Sequence, residues 1–139
     1  MIGLDTNILA RYYIQDESDV EAEKQHKISK KLIESGESLM VCKTVILEFE
    51  WVMRGYYHFN PSDINSVFQH LLSLKHVSIE DRNTIQLALA NYKLGFDFAD
   101  ALHHASYKSC KSIASLDDKK FSRRAIRFGL TPLVIVPKL

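Results

Sequence analysis

Asp5, Glu48, Asp100 and Asp117 are the side chains through which this sequence could do chemistry. Carboxylates are hard oxygen ligands, and an all-oxygen set suits Mg²⁺ or Mn²⁺ better than Zn²⁺. A cation held with open positions readies a water for attack on a phosphodiester and stabilises the leaving oxygen. If gathered, the four would repel one another. Two unit charges ~4 Å apart cost about 4 kcal/mol at an effective dielectric near 20. A cluster of that kind takes up protons or binds cations. The elements carrying the acids decide whether they meet.

Asp5 follows Met1-Ile2-Gly3-Leu4, a short apolar stretch that reads as a buried strand of a parallel sheet. An acid there has two uses. It caps the helix that begins at Ile8, or it binds a ligand at the carboxyl end of the strand. Asp117 repeats the pattern after the strand Ser112 to Leu116. Asp97 is a good N-cap for the helix around Ala101, and Asp100 then takes its third position. Both carboxylates sit at a positive helix end, which favours the ionised form.

The helix Val45 to Arg54 carries two glutamates with contrasting neighbours. Glu50 has Arg54 four residues on, an arrangement that suits a helix surface. Glu48 has no cation three or four residues away and lies beside the stripe Val45, Phe49, Val52. An ionised acid on a core-facing side needs a partner or a metal; otherwise it reaches water at the rim. Trp51 is expected in the core.

The remaining elements follow from period and punctuation. Ser18 is expected to cap a helix that runs to Glu34, with Glu21 completing a capping box and Gly36 ending it. Its lysines Lys24, Lys27, Lys30 and Lys31 read as a solvated face. Leu39 to Cys42 is a second strand, and Thr44 can cap the helix after it. Residues 55–61 form a loop, and Ser62 can cap a helix over Ile64 to Leu74. His76 to Ile79 is a third strand, Glu80 to Leu94 a helix, and Leu133 to Val136 the last strand. His103 and His104 read as ordinary helix residues. Lys119, Lys120, Arg123 and Arg124 form a basic run beside Asp117, either a solvated face or a phosphate-binding patch.

The order of strands and helices gives an α/β fold with a mostly parallel sheet of four to five strands and helices on both sides. The 139 residues fit one domain, 1–139. A composition of 46% hydrophobic and 25% charged residues is that of a soluble globular chain. A net charge of +1 excludes a globally basic nucleic-acid binder, so any such contact must be local. Cys42 and Cys110 lack metal-ligand spacing and are expected to be buried free thiols, consistent with a reducing cytoplasm. No apolar run reaches the ~20 residues of a membrane span, and no signal peptide is expected.

Four stretches carry a resemblance: Leu4-Asp5-Thr6-Asn7-Ile8-Leu9, Val45 to Met53, Asp97-Phe98-Ala99-Asp100-Ala101-Leu102, and Ser115 to Phe121. In this order, and with this length, the chain resembles PIN-domain proteins of the VapC toxin group, from bacterial toxin–antitoxin pairs. The tail Gly129-Leu130-Thr131-Pro132 is similar to one VapC subgroup. The resemblance implies a three-layer α/β/α PIN-like domain and a Mg²⁺- or Mn²⁺-dependent endoribonuclease that leaves a 5′-phosphate and a 3′-hydroxyl. Asp5, Glu48, Asp100 and Asp117 match the family's acidic site. Thr6, Asn7 and Ser115 match its supporting positions, with Ser115 where Thr is more usual. Asp97 and Asp118 rank behind them. The resemblance also implies a homodimer neutralised by a VapB-like antitoxin covering the groove, which Tyr12, Tyr13 and Trp51 could line, with core packing the better reading for Trp51. A PIN-fold protein that binds RNA or a partner without cutting is the alternative. A haloacid dehalogenase-type phosphatase would need a second Asp where Asn7 stands. A receiver domain would need paired acids after the first strand, and a dinucleotide site a G-x-G-x-x-G.

Overall fold

The computed structural model describes residues 1–139. They fall into two compact units, residues 1–82 and residues 83–139. The fold is mixed α/β, and all strand pairs are parallel.

The first unit carries a three-stranded sheet in the order β1-β2-β3. Its strands are β1 (Ile2–Gly3), β2 (Leu39–Val41) and β3 (Val77–Ile79). The register sets Ile2 against Leu39 and Leu39 against Val77. Parallel neighbours need long crossovers, and helices supply them: α1 (Thr6–Tyr13) and α2 (Val20–Ile33) before β2, α3 (Lys43–Trp51) and α4 (Pro61–Ser73) before β3. Leu9, Leu39, Val41, Phe49, Phe68 and Leu71 are fully buried in this unit. Phe49 and Phe68 meet edge to face, with centroids 5.8 Å apart.

The second unit holds α5 (Arg82–Lys93), α6 (Phe98–Ser106), β4 (Ser112–Ala114), α7 (Phe121–Arg127) and β5 (Leu133–Ile135). Here β4 pairs with β5, Ile113 opposite Val134. The five expected strands are therefore present, as one ladder of three and one of two. Ile85, Leu89, Phe98, Ala101 and Ala105 form the buried stripe of the two longer helices. His104 is buried beside them, and its Nε2 donates to the Pro132 carbonyl at 2.9 Å. No helix is long and apolar enough to cross a membrane.

Several caps differ from the sequence reading. Asp19 caps α2 by accepting from the Glu21 amide at 3.0 Å, whereas Ser18 bonds back to Asp16. Asn60 caps α4 by accepting from Asp63 at 2.8 Å, because Pro61 already occupies the first turn and Ser62 lies inside it. Cys42, not Thr44, occupies the cap position of α3, with no side-chain bond. Beyond Trp51 the helix widens into a π turn over Val52–Tyr56, so the expected loop begins later. Cys42 and Cys110 are free, but Cys110 is exposed and Cys42 half-buried, so neither is a core thiol.

Candidate active site

Asp5 ends the first strand region and caps α1. Its Oδ1 accepts from the Thr6 amide at 2.7 Å, which leaves Oδ2 for other work. The cap and the ligand readings are thus compatible: one oxygen suffices for the cap. Asp5, Thr6 and Asn7 line an open cavity of about 370 Å³, and Glu48 of α3 lines it with them. Residues 43 positions apart in sequence share this space because α1 packs on α3.

Glu50 has the reverse of its expected exposure, and Glu48 takes the rim position that was one of its two readings. Glu50 is the buried one, 2% exposed, and Arg54 donates to it from Nε at 2.9 Å. Glu48 is exposed on the cavity side. The arginine four residues on marks a pair that is buried together, not a surface pair. Arg54 can follow its partner inward because its stem is apolar while its head still reaches water. Glu48 is left without that escort and stays at the rim.

Thr6 is buried, and its hydroxyl has no hydrogen-bond partner. An orphaned buried hydroxyl is costly. Here it borders a cavity walled by two carboxylates, where a hydrated cation would satisfy it.

In the second unit, Asp97 caps α6 by accepting from the Asp100 amide at 3.2 Å. Burial, then the negative charges of Asp97 and Asp117, push the Asp100 carboxyl above its usual range, and His103 and Arg124 pull the other way. Asp117 behaves oppositely. The Lys120 and Lys119 backbone amides donate to its Oδ1 at 3.0 and 3.2 Å and hold its carboxyl low. The Ser115 hydroxyl accepts from the Asp117 amide at 3.1 Å and fixes the turn that presents it. Asp118 is exposed, as are Lys119, Lys120, Arg123 and Arg124.

The expected acids therefore come together as Asp5 with Glu48 in one unit and as Asp97, Asp100 and Asp117 in the other. No group of three or more Asp, Glu, His or Cys side chains is close enough to hold a metal ion. The donor chemistry nonetheless fits a hard divalent cation. All donors are oxygens, Asp100 is raised by burial and by the charges of Asp97 and Asp117, and the Thr6 hydroxyl lacks a partner.

Sequence reasoning placed Trp51 in the core and passed over Arg11, Tyr56 and Tyr57. The structure exposes Trp51 by 57% and puts all four on the wall of the Asp5 cavity. A signal existed for Trp51, which lies three residues after Glu48 and so shares its helix face. None existed for Tyr56, since a regular helix would carry it about 140° around from Trp51. Tyr12 and Tyr13 line a separate cavity of about 470 Å³ with His26, Lys30, Glu34 and His70. The Tyr13 hydroxyl and His70 Nδ1 share a hydrogen bond at 2.7 Å, and Tyr12 donates to Glu34 at 3.0 Å.

Comparison with protein families finds one match: a model described as the PIN domain covers residues 2–127. Comparison with curated proteins returns no match.

Proposed function

The chain belongs to the PIN-domain family, and from that premise we propose that it is a metal-dependent endoribonuclease of the VapC toxin group. PIN domains are in general nucleases that use divalent metals, so a phosphodiester hydrolase is the coarse reading the family supports. The observation that carries the proposal is the cavity shared by Asp5 and Glu48, with the orphaned Thr6 hydroxyl beside them.

In this reading Asp5, Glu48, Asp100 and Asp117 hold Mg²⁺, with Mn²⁺ an alternative. A cation bound there would supply Lewis-acid chemistry, readying a water for attack and offsetting charge on the phosphate. The chain's own residues supply the rest. Asp5 is oriented by its cap bond to Thr6. Asp117 is kept ionised by the amides of Lys119 and Lys120. Asp97 holds Asp100 in place through its cap bond. Asn7 and Ser115 are positioning residues. Lys119, Lys120 and Arg123 are exposed to meet RNA phosphates, Arg124 is exposed beside them but bonded to the Gly95 carbonyl, and Asp118 ranks behind the other acids. A VapB-like antitoxin, a homodimer, a cytoplasmic location and a single nuclease domain over 1–139 belong to the same proposal.

The test is cleavage of a structured-RNA pool by the purified chain, freed of co-purifying partners. Cutting in Mg²⁺ that is lost in EDTA and in Asp5→Asn supports the nuclease. Cutting that survives Asp5→Asn overturns the site. A folded protein that cuts under no metal but binds RNA favours the non-catalytic alternative.

A further inference from the structure

Three aromatic rings stand on the wall of the Asp5 cavity. Trp51 is 57% exposed and Tyr56 70% exposed, and Tyr57 completes the row. Tyr56 and Tyr57 meet edge to face, with centroids 4.8 Å apart. Large rings left this open in a unit with a well-filled core call for an occupant.

The backbone is built to present them. The π turn over Val52–Tyr56 bonds Tyr57 N to Val52 O at 3.2 Å, a five-residue step. That wider turn swings Tyr56 back toward the Trp51 side. Gly55 lies under the indole: a Cβ placed there would sit 3.4 Å from Trp51 Cε2 and 3.5 Å from Nε1. The indole is therefore seated on backbone, with its exposed surface turned outward.

Charge says what such a wall can hold. The cavity has two carboxylates, Asp5 and Glu48, against one guanidinium, Arg11, which Gln25 Oε1 holds at 2.9 Å. It therefore has no surplus positive charge to attract a phosphodiester. With no cation bound, affinity there comes from an uncharged contact, and a base on an aromatic face provides one. A volume of about 370 Å³ is in the range of small-molecule sites.

We propose that Trp51 and Tyr56, with Tyr57 behind them, form a stacking subsite for an unpaired nucleobase of the RNA substrate. It deepens the nuclease reading and rests on it. A base inside a duplex cannot offer its face to the wall, so the subsite selects single-stranded segments.

Trp51 is the chain's only tryptophan, so its fluorescence reports this wall alone. The experiment titrates the full chain, in EDTA and low salt, with a short unpaired oligoribonucleotide. The same sequence as a duplex and the same oligomer with abasic residues are the comparisons. Quenching by the unpaired strand and little by either comparison is expected. Tyr56→Ala should weaken that binding on the order of ten-fold, and Tyr56→Phe should restore it. With Mg²⁺ present, Tyr56→Ala should raise KM while leaving kcat near its original value. Equal quenching by abasic or duplex RNA overturns the subsite, as does unchanged affinity in Tyr56→Ala. An emission maximum that moves with protein concentration in the absence of RNA also overturns it and assigns the wall to a second copy of the chain. Cleavage without quenching removes the subsite and keeps the nuclease. Quenching without cleavage keeps a base-binding wall and removes the nuclease.

Discussion

Arg54 Nε lies 2.9 Å from Glu50 Oε2, with Nη2 3.4 Å from Oε1, so one guanidinium grips the buried carboxylate through two nitrogens. Glu48, two residues earlier, is exposed and lines the cavity of Asp5. One glutamate of α3 therefore serves the fold, and the other is free to serve chemistry.

Arg54→Met should be the most damaging change in this helix. It removes the two-nitrogen grip on a carboxylate that is 2% exposed, at a cost of about 3 kcal/mol. Glu50→Gln should cost less, about 1 kcal/mol, because Arg54 is part-exposed and can turn to water. Glu48→Gln should leave stability unchanged and abolish cleavage. Urea melts and an RNA cleavage assay separate the three.

The two aspartates with shifted carboxyls should give opposite pH signatures in chelated protein. Asp100 is raised in the folded chain, so its contribution to stability is full below the unfolded carboxyl pKa and is lost as pH rises through the folded value. Asp117 is lowered, so its contribution is present above the unfolded value and is lost as pH falls through the folded one. Asp100→Asn should raise the metal-free Tm at neutral pH, and Asp117→Asn should lower it. Thermal melts in EDTA between about pH 2 and 7 check both signs, the Asp117 loss falling below the ordinary carboxyl value. If Mg²⁺ binds at Asp100, added Mg²⁺ should stabilise the parent protein and not Asp100→Asn.

Gly55→Ala should be tolerated. The residue does not have a positive φ, and the added methyl reaches the indole of Trp51 at contact distance. Helical Ala gains about 0.5–1 kcal/mol over Gly through a lower unfolded-state entropy. The expected result is an unchanged or higher Tm with Trp51 emission still quenched by unpaired RNA. A marked loss of stability would mean that the π turn itself needs glycine.

His104→Ala should destabilise the second unit without touching the proposed ligands. Its Nε2 bonds the Pro132 carbonyl at 2.9 Å, which leaves Nδ1 buried and without a partner. Removing the ring leaves a cavity beside Phe121, whose edge it meets with centroids 6.1 Å apart, and orphans the carbonyl. A loss of about 2–4 kcal/mol is expected in denaturant melts.

Much of this protein was legible in its residues. Apolar stretches before Asp5 and before Asp117 marked strands, and helical period marked the segments between them, because local pattern and local backbone preference agree there. Asp97 as a cap with Asp100 three residues on was readable because a cap is a local bond. The exposure of Glu48 and Glu50 was not readable. An i, i+4 pair has the same spacing on either face, and only packing decides which face is covered. The π turn was equally hidden, since no spacing rule announces a widened turn, and with it went the placing of Tyr56 on the wall of the Asp5 cavity. The sequence by itself determined the element types, the parallel sense of the sheet and the identity of the acids. Tertiary structure decided which acid is buried, which aromatic is open and which hydroxyl is left without a partner, because burial is a property of what packs against a residue and not of the residue.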